Sequence, residues 1–309
     1  MCYMFGIQGF QKNWMIAMAS FSLVVILIFV SVTLFITSKH VTVSALENAQ
    51  PKALEREQVL QNFLKRYADY LNYISRQSET ETYLKEKSET AQKALSKLLH
   101  NVASLDYEIM QLRLIDQNGQ EMLRVERKHS ASRQVERLAE LQNKADRYYY
   151  HKAKDLPAGQ VWYSDIDLNV EFGVIQKPFE ATIRILLPIR KNGVFQGFIV
   201  MNVFMNSFLK RFLDMPLYES FLIDQEGYVL QASDPKLNWS KYYSPAKSIF
   251  SFDPLVPLSD LENEEFKTEQ HYMYRLNLPL KQPLFLLFKV NPVYEDSEKT
   301  KFYETLWQI

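Results

Sequence analysis

Cysteine is nearly absent. The 309 residues contain one, Cys2, at the extreme N-terminus. That excludes a disulfide framework and a thiolate metal site, so the fold must rest on its core. Glycine is scarce, at 8 residues, and no phosphate loop or dinucleotide fingerprint occurs. The five histidines, His40, His100, His129, His151 and His271, are scattered without a spacing such as H-E-x-x-H, and no G-x-S-x-G nucleophile elbow is present. Net charge is also missing: Lys+Arg and Asp+Glu stand at 36 each. A neutral chain offers no general electrostatic case for nucleic acid. Asp165 and Asp167 lie two apart, which on a strand places both on one face. Such a pair can do acid–base work, but D-x-D-x-N suits a turn or a cation site better. The expectation is a protein that is not an enzyme, with no cofactor, no metal and no nucleic-acid partner.

Aromatic residues are plentiful, at 14%, which favours packed sheets over disorder. Residues 15–36 read MIAMASFSLVVILIFVSVTLFI without a charge. About 20 apolar residues suffice to cross a bilayer as a helix. Trp14 sits at one edge, where amphipathic aromatics prefer to lie. A cleaved signal peptide competes, with Val43-Ser44-Ala45 as a loose cleavage site, but its apolar region would be shorter. Lys12 precedes the segment, and Lys39 and His40 follow it, so flanking charge does not set the orientation. The bulk of the chain follows the segment. The reading is residues 1–13 cytoplasmic, 14–37 a transmembrane helix, and the rest outside the membrane.

Residues 38–100 read as a long stalk helix. Leu46, Ala49, Ala53, Leu60, Leu64, Tyr67, Leu71 and Ile74 recur at steps of three and four, with Arg56 at one seam position. Pro51 interrupts the run as a kink or a restart. The stripe can pack on the chain's own domain, pair with a second copy in a homodimer, or do both.

LIDQNG at residues 114–119 returns as LIDQEG at residues 222–227. Apolar and polar residues roughly alternate on both sides of Asn118-Gly119, the pattern of a half-buried strand turning through a tight two-residue hairpin. RILLPIRKNGVFQGFIVMNV (184–203) turns at Asn192-Gly193. A charged helix is expected over 133–156, short helices over 206–215 and in the last seventeen residues, and strands at HYMYRLNL (271–278) and PLFLLFKVN (283–291), with an irregular stretch around PLVPL. This order predicts an α+β fold: two tandem antiparallel-sheet modules, residues 101–215 and 216–292, followed by a charged helix over 293–309.

The stretches LRLIDQNGQEMLRVER, VWYSDIDLNVEFGVIQKPFEATIRILLPIRKNGVFQGFIVMNV and FLIDQEGYVLQASDPKLNW, set behind a membrane anchor and a long helix, resemble the double Cache (tandem PAS-like) sensor domains of bacterial transmembrane receptors. The likeness covers residues 40–292. It implies two PAS-like modules in the periplasm, outside the bacterial inner membrane, 101–215 distal to the membrane and 216–292 proximal with 293–309 leading back toward it, that pass ligand occupancy to histidine kinase, diguanylate cyclase or chemotaxis regions inside. The chain departs from the pattern at Ile309, where a second membrane helix and a cytoplasmic signalling region would be expected. It is therefore read as a fragment, a truncated product, or a protein that works through another.

The resemblance places a ligand in the distal module, which points to residues 145–190. Arg184, in TIRILLPI, is a lone cation on an apolar strand. A buried cation must be paired, either with a ligand carboxylate or with Asp165 or Asp167. Among Tyr148, Tyr149 and Tyr150, one is expected to face the pocket, with Tyr149 preferred. Trp162 and Tyr163 can wall it, Asp165 can hold an amine and Ser164 stands between them as a further candidate, or the four can be core packing and an Asp-capped turn. The amino-acid-recognising branch of the family carries an arginine shortly before its Trp-Tyr pair. Here Ala158-Gly159-Gln160-Val161 stands there, which counts against an amino acid. Lys177 and Arg124 are lesser candidates. The functional expectation is a sensor for a small carboxylate or amine. The alternative is a membrane-anchored periplasmic protein-interaction module without a ligand, and a distal module packed solid with side chains would favour it.

Overall fold

The uncharged run at residues 15–36 folds as the middle of one long helix, α1 (Cys2–Glu47). The computed structural model describes residues 2–171, 174–243, 245–253, 256, 261 and 263–306. Most of the expected PLVPL stretch, along with Phe172-Gly173 and the last three residues, lies outside them. Side chains 14–32 are all exposed, in a segment of mean hydropathy 2.7. Among the described residues this is one helix long and apolar enough to cross a membrane.

Asn48 breaks the rod, and α2 (Ala49–Ser75) restarts it. Pro51 falls in the first turn of α2, where its missing N–H costs nothing because no intrahelical acceptor waits there. Pro51 thus marks a restart. The expected stalk helix is interrupted twice more, giving α3 (Ser78–Glu86) and α4 (Glu89–Leu105). Lys87 ends α3 in the left-handed region, and the Ser88 hydroxyl caps α4 by accepting from Ala91 N at 3.2 Å.

The distal module follows: β1 (Ile109–Asp116), β2 (Glu121–Glu126), β3 (Glu136–Arg137), α5 (Tyr148–Asp155), β4 (Trp162–Tyr163), β5 (Asp167–Leu168), the small ribbon β6 (Val170–Glu171) and β7 (Val174–Ile175), β8 (Ala181–Lys191), β9 (Val194–Phe204) and α6 (Asn206–Phe212). The antiparallel sheet runs β3-β2-β1-β9-β8-β4, with β5 also on β8. The proximal module holds β10 (Tyr218–Asp224), β11 (Val229–Ala232), α7 (Ile249–Phe252), β12 (Glu265–Lys267), β13 (His271–Leu276) and β14 (Leu284–Val290), in the order β11-β10-β14-β13-β12. Helix α8 (Pro292–Leu306) closes the described chain and lies against α1.

The repeated LIDQ motif encodes one local structure twice. Asp116 Oδ1 accepts from the N–H groups of Asn118 (2.8 Å) and Gln120 (2.9 Å), and Asp224 Oδ1 accepts from those of Glu226 (2.9 Å) and Tyr228 (2.9 Å). Both strands shift register after the motif's leucine, at Leu114/Ile115 and Leu222/Ile223. The turn is longer than the expected two-residue hairpin. Only its glycine, at φ +83° or +81°, enters the left-handed region, as in a type I turn closed by a glycine bulge. At Asn192-Gly193 both residues have positive φ, and there the two-residue turn is real.

One expectation fails outright. Residues 133–147 carry helical periodicity but form no helix. Their backbone pairs with the neighbouring hairpin instead: Leu138 N donates to Arg124 O (3.1 Å), Glu121 N to Gln142 O (3.0 Å) and Lys144 N to Gly119 O (2.7 Å). Tertiary hydrogen bonds override a propensity of a few tenths of a kcal/mol per residue. The helix begins only at Tyr148.

Every apolar residue of the expected stripe on α1 and α2 is buried, from Leu46 through Ile74, while Arg56 at the seam is half-buried. It packs on the inner faces of both sheets. Leu112, Val125, Ile183 and Met201 of the distal sheet, and Leu222, Leu286 and Phe288 of the proximal one, join the same core. Leu71→Ala, at a fully buried position, should destabilise the protein by about 2–5 kcal/mol in urea unfolding. A loss near zero would mean that α2 is not held by this core.

Candidate functional site

The outer face of the distal sheet is not a second apolar face. Side chains alternate along each strand, so residues opposite the core share the other side. On β1 these are Gln111 and Arg113, on β9 Val200 and Asn202, on β8 Thr182, Arg184 and Leu186, and on β2 Arg124 and Glu126. Tyr149, Tyr150 and Ala153 of α5 cover one end of this face with Phe198, Val200 and Leu186. The rest is open as a cleft of about 1260 Å³ lined by the polar row, α5, residues 138–147 and residues 162–170.

Its floor is a hydrogen-bonded chain. Arg113 Nη2 donates to Asn202 Oδ1 (3.0 Å), Asn202 Nδ2 to Gln111 Oε1 (3.2 Å), and Gln111 Nε2 to Glu126 Oε2 (3.2 Å), which also pairs with Arg124. Arg113 is further neutralised by buried Glu121 at 3.4 Å. Lys144 sits at one wall, bonded to Gln142 Oε1. Burial pushes its ammonium below the usual range. Glu121 opposes this, while Arg113, Arg147 and Arg124 add to it.

Arg184 differs from Arg113. Among the described residues it makes no ion pair. Asp165 and Asp167 both line the cleft, yet Asp165 Oδ1 accepts Gln282 N (2.9 Å), and Asp167 Oδ1 accepts Leu168 N (2.8 Å) and the Tyr242 hydroxyl. The expected internal salt bridge is therefore absent. Arg184 Nη1 donates to the Tyr148 hydroxyl at 3.3 Å, and its Nε, like that of Arg113, is buried without a partner among the described residues. Tyr149 lies between the two guanidiniums, with its ring centre 5.9 Å from Arg113 and 5.6 Å from Arg184.

Five of the six expected site residues line this one cleft: Arg184, Tyr149, Trp162, Ser164 and Asp165. Tyr163 does not. It neighbours Trp162 on a strand and so turns to the opposite face, where it packs on the main core. Ser164 spends its hydroxyl on the backbone, accepting from Arg184 N (2.9 Å) and donating to Asp165 O (2.8 Å). Of the lesser candidates, Arg124 lines the cleft and Lys177 does not. Gln111, Arg113, Asn202, Lys144 and Lys281 were not expected there. For Gln111 and Arg113 a signal existed: two polar residues two apart in the apolar strand IMQLRLID.

The proximal sheet gives the internal comparison. Asp116 faces Gly197 and Asp224 faces Leu284, so equal counts back from each aspartate are equivalent. Gln111–Asn202–Arg184 then corresponds to Glu219–Lys289–His271. In the proximal module Asp253 Oδ2 accepts from His271 Nε2 at 2.9 Å and Lys289 Nζ at 3.0 Å. Ile223, Val229, Met273, Phe285 and Leu287 fill the remainder of that face. Burial raises the Asp253 carboxyl, but hydrogen bonds from Lys289 and His271 outweigh it and hold the group below its usual range.

The architecture is two tandem PAS-like sheets on a helical spine. The chain belongs to the bacterial histidine kinase sensor domain family, whose model matches residues 49–270. Among curated protein sequences none matches. Solved structures share the fold. The extracellular domain of vpHK1S-Z8, a protein assigned as a histidine kinase, is 18% identical over 84% of this chain and 96% of its own, at a TM-score of 0.73. A domain of a Vibrio parahaemolyticus protein assigned to the sensory box/GGDEF family is 18% identical over 83% of this chain and 99% of its own, at 0.71. The sensory domain of the Campylobacter jejuni chemoreceptor Tlp3, solved with isoleucine bound, is 14% identical over 82% and 96%, at 0.54.

The two arginines should separate on mutation. Glu121→Gln strips a buried cation of its partner and should cost roughly 3–5 kcal/mol. Arg184→Ala orphans no carboxylate and removes a buried unpaired Nε, so urea unfolding should show no loss of stability. A large loss for Arg184→Ala would make it structural. Asp253 gives a pH test. Its folded pKa lies below the unfolded value, so its contribution is present above about pH 4 and is lost as pH falls through the folded value. Unfolding measured from pH 6 to pH 3 should show this loss in the wild type and not in Asp253→Asn.

Proposed function

We propose that the part of the chain following α1 is the ligand-sensing region of a single-pass receptor of the bacterial inner membrane. It binds a small polar molecule carrying an anionic group in the distal cleft. The observation that carries this reading is Arg184. It stands at the position of His271, which the proximal module pairs with Asp253, and among the described residues it has no carboxylate partner. A guanidinium in a walled cleft is suited to a carboxylate in bidentate geometry. Asp165 has one oxygen already engaged, which favours an anion over an amine. The rival reading, a protein-interaction module without a ligand, needs a solid distal module, and a cleft of about 1260 Å³ counts against it.

The mechanism is a population shift: a ligand that binds one arrangement of the distal module more tightly biases the spine helices toward it. We place the receptor in a homodimer. The buried stripe of α2 is already used within the chain, so the contact must use its other face, where Leu54 and Val59 are exposed.

The test is a thermal-shift screen of the purified chain in detergent against carboxylates, amines, amino acids and purines. A ligand present at a hundredfold excess over its dissociation constant adds about 2.7 kcal/mol. A carboxylate hit lost in Arg184→Ala is the expected result. A stable, cooperative melt with no hit would overturn the reading in favour of a protein partner.

A further inference from the structure

The cleft is not built by the distal module alone. Residues 277–283 connect β13 to β14 in the proximal module, and Lys281 of this hairpin lines the distal cleft. Its neighbour Gln282 donates its backbone N–H to Asp165 on the cleft wall at 2.9 Å. Tyr242, also of the proximal module, donates to Asp167. At its other end the same hairpin is held by α2. Asn277 N donates to Glu57 Oε2 at 2.7 Å, and Gln61 Nε2 donates to Asn277 O at 2.8 Å. Lys281 has no ion pair among the described residues and is exposed. A seven-residue hairpin thus touches the candidate ligand space at one end and the spine helix at the other.

We infer that Lys281 is a ligand-contacting residue of the distal cleft, supplied by the proximal module. We further infer that its hairpin carries occupancy from the cleft to α2 and, along β14, to α8. This rests on the reading of the cleft as an anion site. An ammonium on a flexible stem adds a second cation to Arg184 across the cleft. An anion contacting both draws the hairpin against Asp165. The pull reaches Glu57 and Gln61 directly. It reaches α8 through β14, because Asn291, between that strand and the helix, is itself tied to Leu217 O (3.0 Å) and Pro216 O (3.0 Å). Such a route requires that ligand binding and inter-module docking be coupled, and the coupling must act in both directions.

The test uses the full chain in detergent with acetate, succinate, citrate and inorganic phosphate as probes, titrated by calorimetry. For a probe that binds the wild type, Arg184→Ala should abolish binding, Lys281→Ala should weaken it about tenfold, and Lys281→Arg should keep it. Hydrogen exchange adds a readout that a merely structural role would not move. The probe should protect amides of 277–283 and of α2 around Glu57 in the wild type, but not in Lys281→Ala at saturation. If Lys281→Ala titrates like the wild type while Arg184→Ala does not bind, the cleft reading stands and this inference falls. If no probe binds the wild type, the anion-site reading falls and the inference falls with it.

Discussion

One apolar stripe, from Leu46 on α1 to Ile74 on α2, is the constraint on which the rest depends. It is shared. The distal sheet packs Ile183 and Met201 on it, and the proximal sheet packs Leu286 and Phe288 on the same rod. Neither sheet can bury its inner face without the helix, and the helix cannot leave water without both sheets. Burial of this kind contributes roughly 25 cal/mol per Å² and is indifferent to direction. The tie between modules and rod is therefore strong. Specificity of position comes from the few polar ties at the rim: Tyr218 to Ala45 O, Asn277 to Glu57, Asp165 to Gln282. Strong, non-directional packing with sparse directional ties is suited to two nearby arrangements of one assembly.

With the inner faces committed, the outer faces are free to differ, and they do. The duplicated LIDQ hairpin builds two sheets in the same register. At the position of Arg113 the second copy has Phe221, and at that of Val200 it has Leu287. Those exchanges fill the proximal face with carbon. At the matching corner stand His271 and Lys289, and the protein supplies the anion itself through Asp253. The distal copy keeps Arg184 and the space, but among the described residues no carboxylate pairs with it. Leaving a guanidinium nitrogen buried without a partner costs stability, and structures tolerate such costs where function uses them.

Much of this was legible from residues alone. The hairpins were, because an aspartate and a glycine fix a turn through local bonds. So was the stripe, because apolar residues at steps of three and four from Leu46 to Ile74 line one face of a helix. Arg184 was visible as a lone cation in an apolar strand. The false helix at 133–147 shows where local reading ends: its residues favour a helix, but Arg124 O and Gly119 O, on the neighbouring hairpin, claim its N–H groups. Tyr163 shows a finer limit. A two-residue strand sends neighbours to opposite faces, and nothing in Trp-Tyr says which enters the cleft.

Lys281 marks the deepest limit, and the reason is geometric. It lies about a hundred residues from Arg184, in a turn with no motif, and it joins the cleft only because both sheets sit on one rod. A site assembled from two repeats has no signature in either. The same geometry bears on signalling. A ligand held wholly within one module could tighten that module and leave the rod unmoved. One that also engages the partner module's hairpin must change the distance between two bodies fixed to the same helix. That distance is the quantity a membrane-spanning rod can transmit.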